Sequence, residues 1–325
     1  MDRRRAITAL ICLGGLRLAH AQKVRRIGFL AARSRSTASR PDQAYDAFVQ
    51  GMRELGYVEG KNLTIEWRFA DEHYDRLPQL AKELVALKIE VLVTHVSAGV
   101  LAGQRASSSV PIVVTAVADP VALGAAQSLG RPGKNVTGFT NGSVDITAKQ
   151  MEFLTELRPK LSKIAVMINP KSVVYGSILT SAERSAAAIN ASVIPVMAAN
   201  RKEIEAGLAA AKHRGAEVLL IPSDAVFTAE RQFIANQALA NRLPALAGNP
   251  ALASAGVLLS YGPNVIDQYR RSAVQVDKIL KGAKAGDLPF EQPSKFDLTV
   301  NLKTAKSLGI SFPKQLLQRA DNVIQ

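Results

Sequence analysis

The segment from Glu90 to Gly124 constrains the fold more than any other part of the sequence, because the same pattern of an apolar run and the residues that follow it occurs twice. Val91–Val93 and Ile112–Val114 are too short for helices and consist mostly of β-branched residues. Each run is followed by small polar residues and then by an alanine-rich segment of helical composition. This succession of strand, loop and helix is typical of a parallel sheet covered by helices. The segment therefore predicts an α/β fold.

The same succession continues on both sides of this segment, which favours two domains. The chain has 325 residues, of which 47% are hydrophobic, and this is long for a single domain. We predict two Rossmann-like lobes with a ligand cleft between them. Lobe 1 is expected to comprise residues 22–138 plus about 261–285, and lobe 2 residues 139–260 plus about 286–325. The run Val257–Gly262 is predicted to be a strand that re-enters the first lobe.

The first 21 residues are predicted to be a secretory signal peptide rather than part of the fold. Arg3-Arg4-Arg5 is followed by an apolar run over residues 6–16 and by the cleavage-site pattern Ala19-His20-Ala21. Both general secretory and twin-arginine export are compatible with this pattern. The only cysteine, Cys12, lies within this segment. We therefore expect a periplasmic mature protein without disulfides or thiolate metal sites.

The basic charge of the chain does not indicate nucleic-acid binding. The formal net charge is +14, and removal of residues 1–21, which hold four arginines and one aspartate, lowers it to +11. The basic residues are scattered singly in helical segments, and aromatic residues are only 5% of the chain. Neither a basic block nor a set of stacking aromatic residues is evident. We expect no nucleic-acid partner.

Sequence motifs for catalysis and cofactor binding are absent. The sequence contains no Walker A, G-x-G-x-x-G, G-x-S-x-G or H-E-x-x-H pattern. His95 has no second histidine or carboxylate at metal-ligand spacing, so a structural role is expected for it. The sequence predicts no cofactor, no metal and no catalytic residue.

Candidate ligand-binding residues of the first lobe follow its predicted strands. In open α/β sheets, ligands bind at the carboxyl ends of parallel strands, against helix N-termini. Ser34 follows the first strand, and Ser97 with Ala98 begins the helix after the third. The hydroxyl and backbone N–H groups there could bind a carboxylate, or Ser97 could be a simple helix cap, and the position at a strand end favours ligand contact. Asp119 either caps a helix that starts at Pro120 or faces the cleft to meet an ammonium group.

The second lobe offers a corresponding set of residues. Asn169, Asp224 and Asn249 each close a predicted strand, although Asn and Asp are also common turn residues. Asp224 is the preferred partner for an ammonium group. Tyr175 and Tyr261 are candidates to stack on a ligand or to donate a hydrogen bond to it, or else to pack half-buried.

Several motifs in a fixed order resemble those of a bacterial family of ABC-transporter substrate-binding proteins, of the type associated with tryptophan or tyrosine uptake. Together they extend over roughly residues 24 to 325. The motifs are Leu55–Leu63, Tyr74–Pro78, Ala118–Val121, Arg131–Gly138, Ser260–Pro263, Val276–Ala283, Leu288–Phe296 and Asn301–Gly309.

This resemblance implies a periplasmic-binding-protein fold of type I, with three chain crossings between its lobes and delivery of the ligand to a membrane permease. A monomer is the default for proteins of this type. The sequence departs from the family pattern at two places in the expected cleft. Where relatives often have a Gly-Thr-Pro-Ala loop, this chain has His95-Val96-Ser97-Ala98, and Ala247-Gly248-Asn249 replaces a loop that often carries an aromatic residue. The ligand therefore does not follow from the resemblance.

Three functions are compatible with such a cleft. The preferred hypothesis is an exported receptor that closes on a small zwitterionic or carboxylate-bearing solute and presents it to a permease. The alternatives are an enzyme that uses the same cleft and a sensory receptor that presents its ligand to a signalling partner. The lack of an evident nucleophile–base pair counts against the enzyme.

Overall fold

The computed structural model describes residues 24–34, 43–71, 73–142, 146–172 and 174–325. The predicted signal peptide lies outside these ranges. Among the described residues, no helix combines the length and apolar character needed to cross a membrane.

The first lobe is built on a five-stranded parallel sheet in the order β2-β1-β3-β4-β5. Helices cover both of its faces, as expected for strands that are apolar on both sides. The elements are β1 (Arg25–Ala31), α1 (Gln43–Glu54), β2 (Leu63–Phe69), α2 (Leu77–Ala86), β3 (Val91–Thr94), α3 (Val96–Ala106), β4 (Ile112–Val117) and β5 (Val136–Thr140).

The second lobe is built on a seven-stranded sheet in the order β12-β11-β10-β9-β8-β6-β7. Strands β6 to β10 are parallel to their neighbours within that group, whereas β11 is antiparallel to β10. The strands are β6 (Lys163–Ile168), β7 (Ser192–Met197), β8 (Val218–Ile221), β9 (Ala245–Ala247), β10 (Leu259–Pro263), β11 (Phe296–Asn301) and β12 (Asn322–Ile324). The helices of this lobe are α4 (Thr147–Leu157), α5 (Tyr175–Ala187), α6 (Arg201–His213), α7 (Ala225–Ala229), α8 (Arg231–Ala240), α9 (Pro250–Ser254), α11 (Leu302–Leu308) and α12 (Lys314–Gln318). Helix α10 (Val265–Leu280) packs on lobe 1.

An aromatic cluster fills one face of the first sheet. Phe29 of β1 lies edge-on to Tyr45 and Phe48 of α1, with ring centroids 5.4 and 5.2 Å apart, and stacks on Trp67 of β2 at 4.6 Å. Tyr269 of α10 joins the same cluster. Residues three and four apart on a helix share one face, and this spacing lets α1 and α10 bury their apolar residues side by side.

Three chain crossings connect the lobes, and all of them lie at the carboxyl ends of the parallel strands. The chain leaves lobe 1 after Thr140, the last residue of β5, and returns after Pro263, the last residue of β10. In the third crossing, Glu291 lies beside β5, where its carbonyl accepts a 2.9 Å bond from the Thr140 amide, and Phe296 pairs with Pro263. The carboxyl edges of the two sheets therefore face each other, as the prediction of two α/β lobes with a cleft requires.

Two predictions about local structure are wrong. Strand β10 does not re-enter the first lobe, because it pairs with β9 and β11 in the second sheet, and only the following helix α10 packs on lobe 1. The segment after Asp119 is a series of turns rather than a helix. The amides of Ala125 and Ala126 both donate to the Pro120 carbonyl, and Gly124 takes a φ of 72°, which ends helical geometry after one turn.

Gly138 gives a test of the β4–β5 pairing. Its φ is 137°, and a Cβ atom there would lie 2.0 Å from the Val114 carbonyl oxygen. We expect Gly138→Ala to lower the free energy of unfolding by about 2–3 kcal/mol, because the sheet must shift to admit the methyl group. The matched control is Gly130→Ala, where a Cβ meets no atom within 4 Å; a change below about 0.5 kcal/mol is expected. Equal effects in denaturant titrations would contradict this packing.

Candidate functional site

The carboxyl edge of the first sheet carries a compact group of ring and cationic side chains. The guanidinium of Arg33, just after β1, lies 5.2 Å from the ring centroid of Tyr45 and donates to the Tyr269 hydroxyl at 3.2 Å. His95, just after β3, lies 6.4 Å from Tyr45 and 6.2 Å from Tyr269, measured between ring centroids. The ends of β1 and β3 and the N-terminal turns of α1 and α10 thus bring these four side chains to one place.

His95 is buried without a hydrogen-bond partner in the described part of the chain. Its side chain is 6% exposed, and neither Nδ1 nor Nε2 makes a hydrogen bond. Burial, reinforced by the positive charge of Arg33, holds the pKa of His95 well below its usual value. The imidazole is therefore neutral at pH 7, with one N–H donor and one acceptor nitrogen.

The turn that follows His95 has an unusual backbone. Val96 has a φ of 63°, a left-handed conformation that is strained for a β-branched residue. His95 occupies the N-cap position of α3 and makes no side-chain hydrogen bond to the helix. Ser97 and Ala98 lie in the first turn of α3 and are partly exposed. The structure thus places these two predicted residues at a helix N-terminus on the cleft edge.

The other predicted residues of lobe 1 differ in their surroundings. Asp119 uses its side chain locally, since Oδ1 accepts bonds from the amides of Val121 and Ala122, both at 2.9 Å. This is the capping role that the sequence left open, although it caps a turn and not a helix. Ser34 lies beside Arg33 and is partly buried. Ligand contact by either residue stays a prediction.

The second lobe brings three predicted residues to its own carboxyl edge. The Asn169 amide donates to both carboxylate oxygens of Asp224, at 3.2 Å each. Asp224 also accepts a 2.8 Å bond from the Val226 amide and so caps α7. Asn249 caps α9 and donates to the Thr228 hydroxyl at 3.1 Å. These contacts link the ends of β6, β8 and β9 into one polar edge.

Asp224 is the acidic group of this edge. Burial raises the pKa of its carboxyl group, and the hydrogen bonds from Asn169 and from the amides of Val226 and Phe227 partly oppose this shift. A half-buried carboxylate of this kind gains from a cationic partner, because the partner compensates the lost hydration. The geometry therefore suits an ammonium group.

The two predicted tyrosines have different positions. Tyr175 begins α5, is 45% exposed and lines a shallow pocket together with Asn169, Ser172 and Asp224. The ring of Tyr261 instead packs in lobe 2, 5.0 Å from the Phe153 ring and 5.7 Å from that of Phe296. Burial raises the pKa of the Tyr261 hydroxyl. Tyr175 is thus exposed at the edge and Tyr261 packs half-buried, and ligand contact by either residue stays a prediction.

The contacts of Arg33 and His95 with the rings of Tyr45 and Tyr269 do not follow from the sequence. The two tyrosines have the helical spacing of core residues, and both are buried in the structure. His95 is buried, as a structural role requires, and its position directly after a strand is also one at which residues contact ligands. Within the described ranges, no three His, Cys, Asp or Glu side chains are grouped to bind a metal ion.

Comparisons with known proteins agree on one family and one fold. The family model of ABC transporter substrate-binding proteins matches residues 38–324. A tyrosine-binding protein from Clostridioides difficile is 25% identical over 270 residues, which are 83% of this chain and 77% of that protein. Among solved structures, a conserved domain protein from Vibrio cholerae superimposes with a TM-score of 0.83 at 25% identity, covering 93% of this chain and all of that one. The ABC domain from Streptococcus pneumoniae in complex with L-Trp gives 0.83 at 21% identity, covering 92% and 99%.

The burial of His95 predicts a pH-dependent stability. Below about pH 6.5 the unfolded chain protonates His95, whereas the native chain does so only at lower pH. Stability from this group is therefore complete above pH 6.5 and falls by up to about 1.4 kcal/mol per pH unit as the pH decreases. In denaturant titrations from pH 7.5 to 5, His95→Phe should gain stability relative to the wild type as the pH falls. His213→Gln, at an exposed histidine, is the control. A wild-type to variant difference that is constant with pH would contradict the buried neutral imidazole.

Proposed function

The chain belongs to the family of ABC transporter substrate-binding proteins, and we propose that it is the exported solute receptor of an ABC importer. In this proposal it captures a small amino acid or carboxylate in the cleft between its lobes, closes on it and presents it to a membrane permease. The protein binds its solute and releases it unchanged.

The observation that carries the proposal is the pair of facing carboxyl edges with complementary polar groups. Lobe 1 contributes the cation of Arg33 and the first turn of α3, and lobe 2 contributes the carboxylate of Asp224. Helix N-termini favour anions, and a half-buried carboxylate favours cations. A zwitterionic solute matches both edges at once. The tyrosine-binding relative and the neighbour in complex with L-Trp support an amino acid as the solute class.

Closure is proposed to occur about the three crossings. Domain closure about a ligand is driven by contacts that exist only in the closed state, and hinges are a few residues that absorb the backbone change. Asn264 lies at such a place, between β10 and α10, where its side chain caps α10 through the Asp267 amide at 2.7 Å. The receptor is proposed to act as a monomer in the periplasm after removal of residues 1–21.

A thermal-shift screen of the purified protein tests the proposal. Amino acids, aromatic acids, sugars and nucleosides are compared at high concentration. A solute at 100 times its dissociation constant should stabilise the protein by about 2.7 kcal/mol, because it binds the native state only. The expected hit is an amino acid or carboxylate that is recovered intact after incubation. Conversion of the hit into another compound would contradict the receptor and favour an enzyme.

Asp224→Asn tests the ammonium contact in lobe 2. Asparagine keeps the helix cap and the shape of the side chain but removes its charge. We expect an affinity loss of about 10–100-fold for the amino-acid hit, as for a lost hydrogen bond to a charged group. Stability at pH 7 should change by no more than about 1 kcal/mol, because removal of a partly desolvated charge offsets the bond from the Asn169 amide that the new NH2 group cannot accept. The control is Asp75→Asn, at an exposed position of lobe 1. Calorimetric titrations with equal affinities for both variants would exclude Asp224 from the site.

A further inference from the structure

His95 lies at the edge of lobe 1 at which the proposed function places the solute. It follows directly after β3, at the carboxyl edge of the sheet, and it precedes α3. Its imidazole lies beside the rings of Tyr45 in the first turn of α1 and Tyr269 in the second turn of α10, and both helices begin at this edge. Four elements of lobe 1 therefore converge on this side chain.

The two nitrogens of His95 lack the partners that a structural histidine has. The side chain is 6% exposed, and neither nitrogen makes a hydrogen bond within the described residues. Buried polar groups are nearly always hydrogen-bonded, because an unpaired one forfeits its hydration without compensation. A purely structural role would be filled better by a phenylalanine. The unused hydrogen-bonding capacity of the two nitrogens points to a hydrogen-bonding group on the ligand itself.

The surroundings of His95 favour a negatively charged partner. Three titratable side chains face it, namely Arg33 after β1, Tyr45 in α1 and Tyr269 in α10. Of the described residues, Arg33 is the one whose charge acts on the imidazole. The first turn of α3 adds backbone N–H groups that have no partner within the helix, and His95 does not cap them with its side chain. Positive charge, a helix N-terminus and an imidazole N–H together form an environment for an anion.

We propose that His95 is a ligand-contacting, specificity-determining residue that donates a hydrogen bond to the carboxylate of the bound solute, with Arg33 and the first turn of α3 completing the subsite. This inference rests on the proposed function, because it assigns one end of the solute in the same cleft. It orients the solute with its carboxylate on lobe 1 and its ammonium group on lobe 2. It also restricts the solute class to compounds with a free carboxylate.

Three related probes separate the two ends of the solute. L-Tyrosine carries both charged groups, 3-(4-hydroxyphenyl)propionate carries only the carboxylate, and tyramine carries only the ammonium group. Calorimetric titrations compare the wild type, His95→Phe and the exposed-site control His213→Gln. The same titrations are made with a second set of probes, L-tryptophan, indole-3-propionate and tryptamine. A wider panel of carboxylates, amines and sugars completes the comparison.

We expect His95→Phe to lose at least 10-fold in affinity for the carboxylate-bearing probes, with tyramine unaffected. Its melting temperature at pH 7 should equal or exceed that of the wild type, because the substitution removes an unpaired buried group. A structural role would lower the melting temperature instead. His213→Gln should match the wild type in every titration.

Two results would overturn the inference about His95 without contradicting the proposed receptor function. One is His95→Phe binding the acids as tightly as the wild type does, and the other is a wild-type protein that binds only compounds without a carboxylate. A wild-type protein that binds nothing in the whole panel overturns the proposed function together with the inference. Arg33→Gln supplies a second variant with the same prediction for the acids should His95→Phe fail to fold.

Discussion

The hydrogen bonds at the three chain crossings hold the carboxyl edges of the two sheets face to face, and the candidate site depends on this arrangement. The buried amide of Gln268 in α10 donates to the Thr140 carbonyl at the end of β5, at 2.8 Å. The backbone amide of Asn264 in the second crossing donates a 2.9 Å bond to the Lys295 carbonyl of the third. The crossings are bonded to one another, and the proposed closure would be a rotation about them that leaves each sheet intact. Side chains that follow the strands of either sheet are thereby directed toward the same space.

The candidate site keeps groups that a purely stabilising sequence would avoid. His95 is buried without a partner in the described chain, Val96 has a strained φ of 63°, and burial disfavours the charge of Asp224. Each of these features reduces the stability of the unliganded protein. They occur at the two facing edges, where the proposed solute would bind. Binding and catalytic sites commonly contain residues that lower the stability of the folded protein in this way.

The fold followed from the sequence because its signals are local, and the family assignment followed from ordered motifs. Apolar runs, caps and glycines located most strands and helices to within a few residues, and the strand ends located Asn169, Asp224 and Asn249 on one edge. The prediction of the sheet to which β10 belongs was wrong, because an apolar run does not show which strands it pairs with. Tyr45 and Tyr269 could not be connected with the candidate site from the sequence, since aromatic residues in a core and beside a site have the same helical spacing. The site of lobe 1 arises from elements far apart in the sequence, and only the structure joins them.

Closure of the lobes on a solute is the central claim, and a distance measurement tests it most directly. The sequence beyond residue 12 contains no cysteine, so spin labels can be placed uniquely at Ala122→Cys in lobe 1 and Lys171→Cys in lobe 2, both at exposed positions near the facing edges. Pulsed electron spin resonance then measures the separation of the labels with and without the solute found by screening. The account predicts a shorter and narrower distance distribution at saturating solute. A distribution that does not change while the solute binds would contradict it.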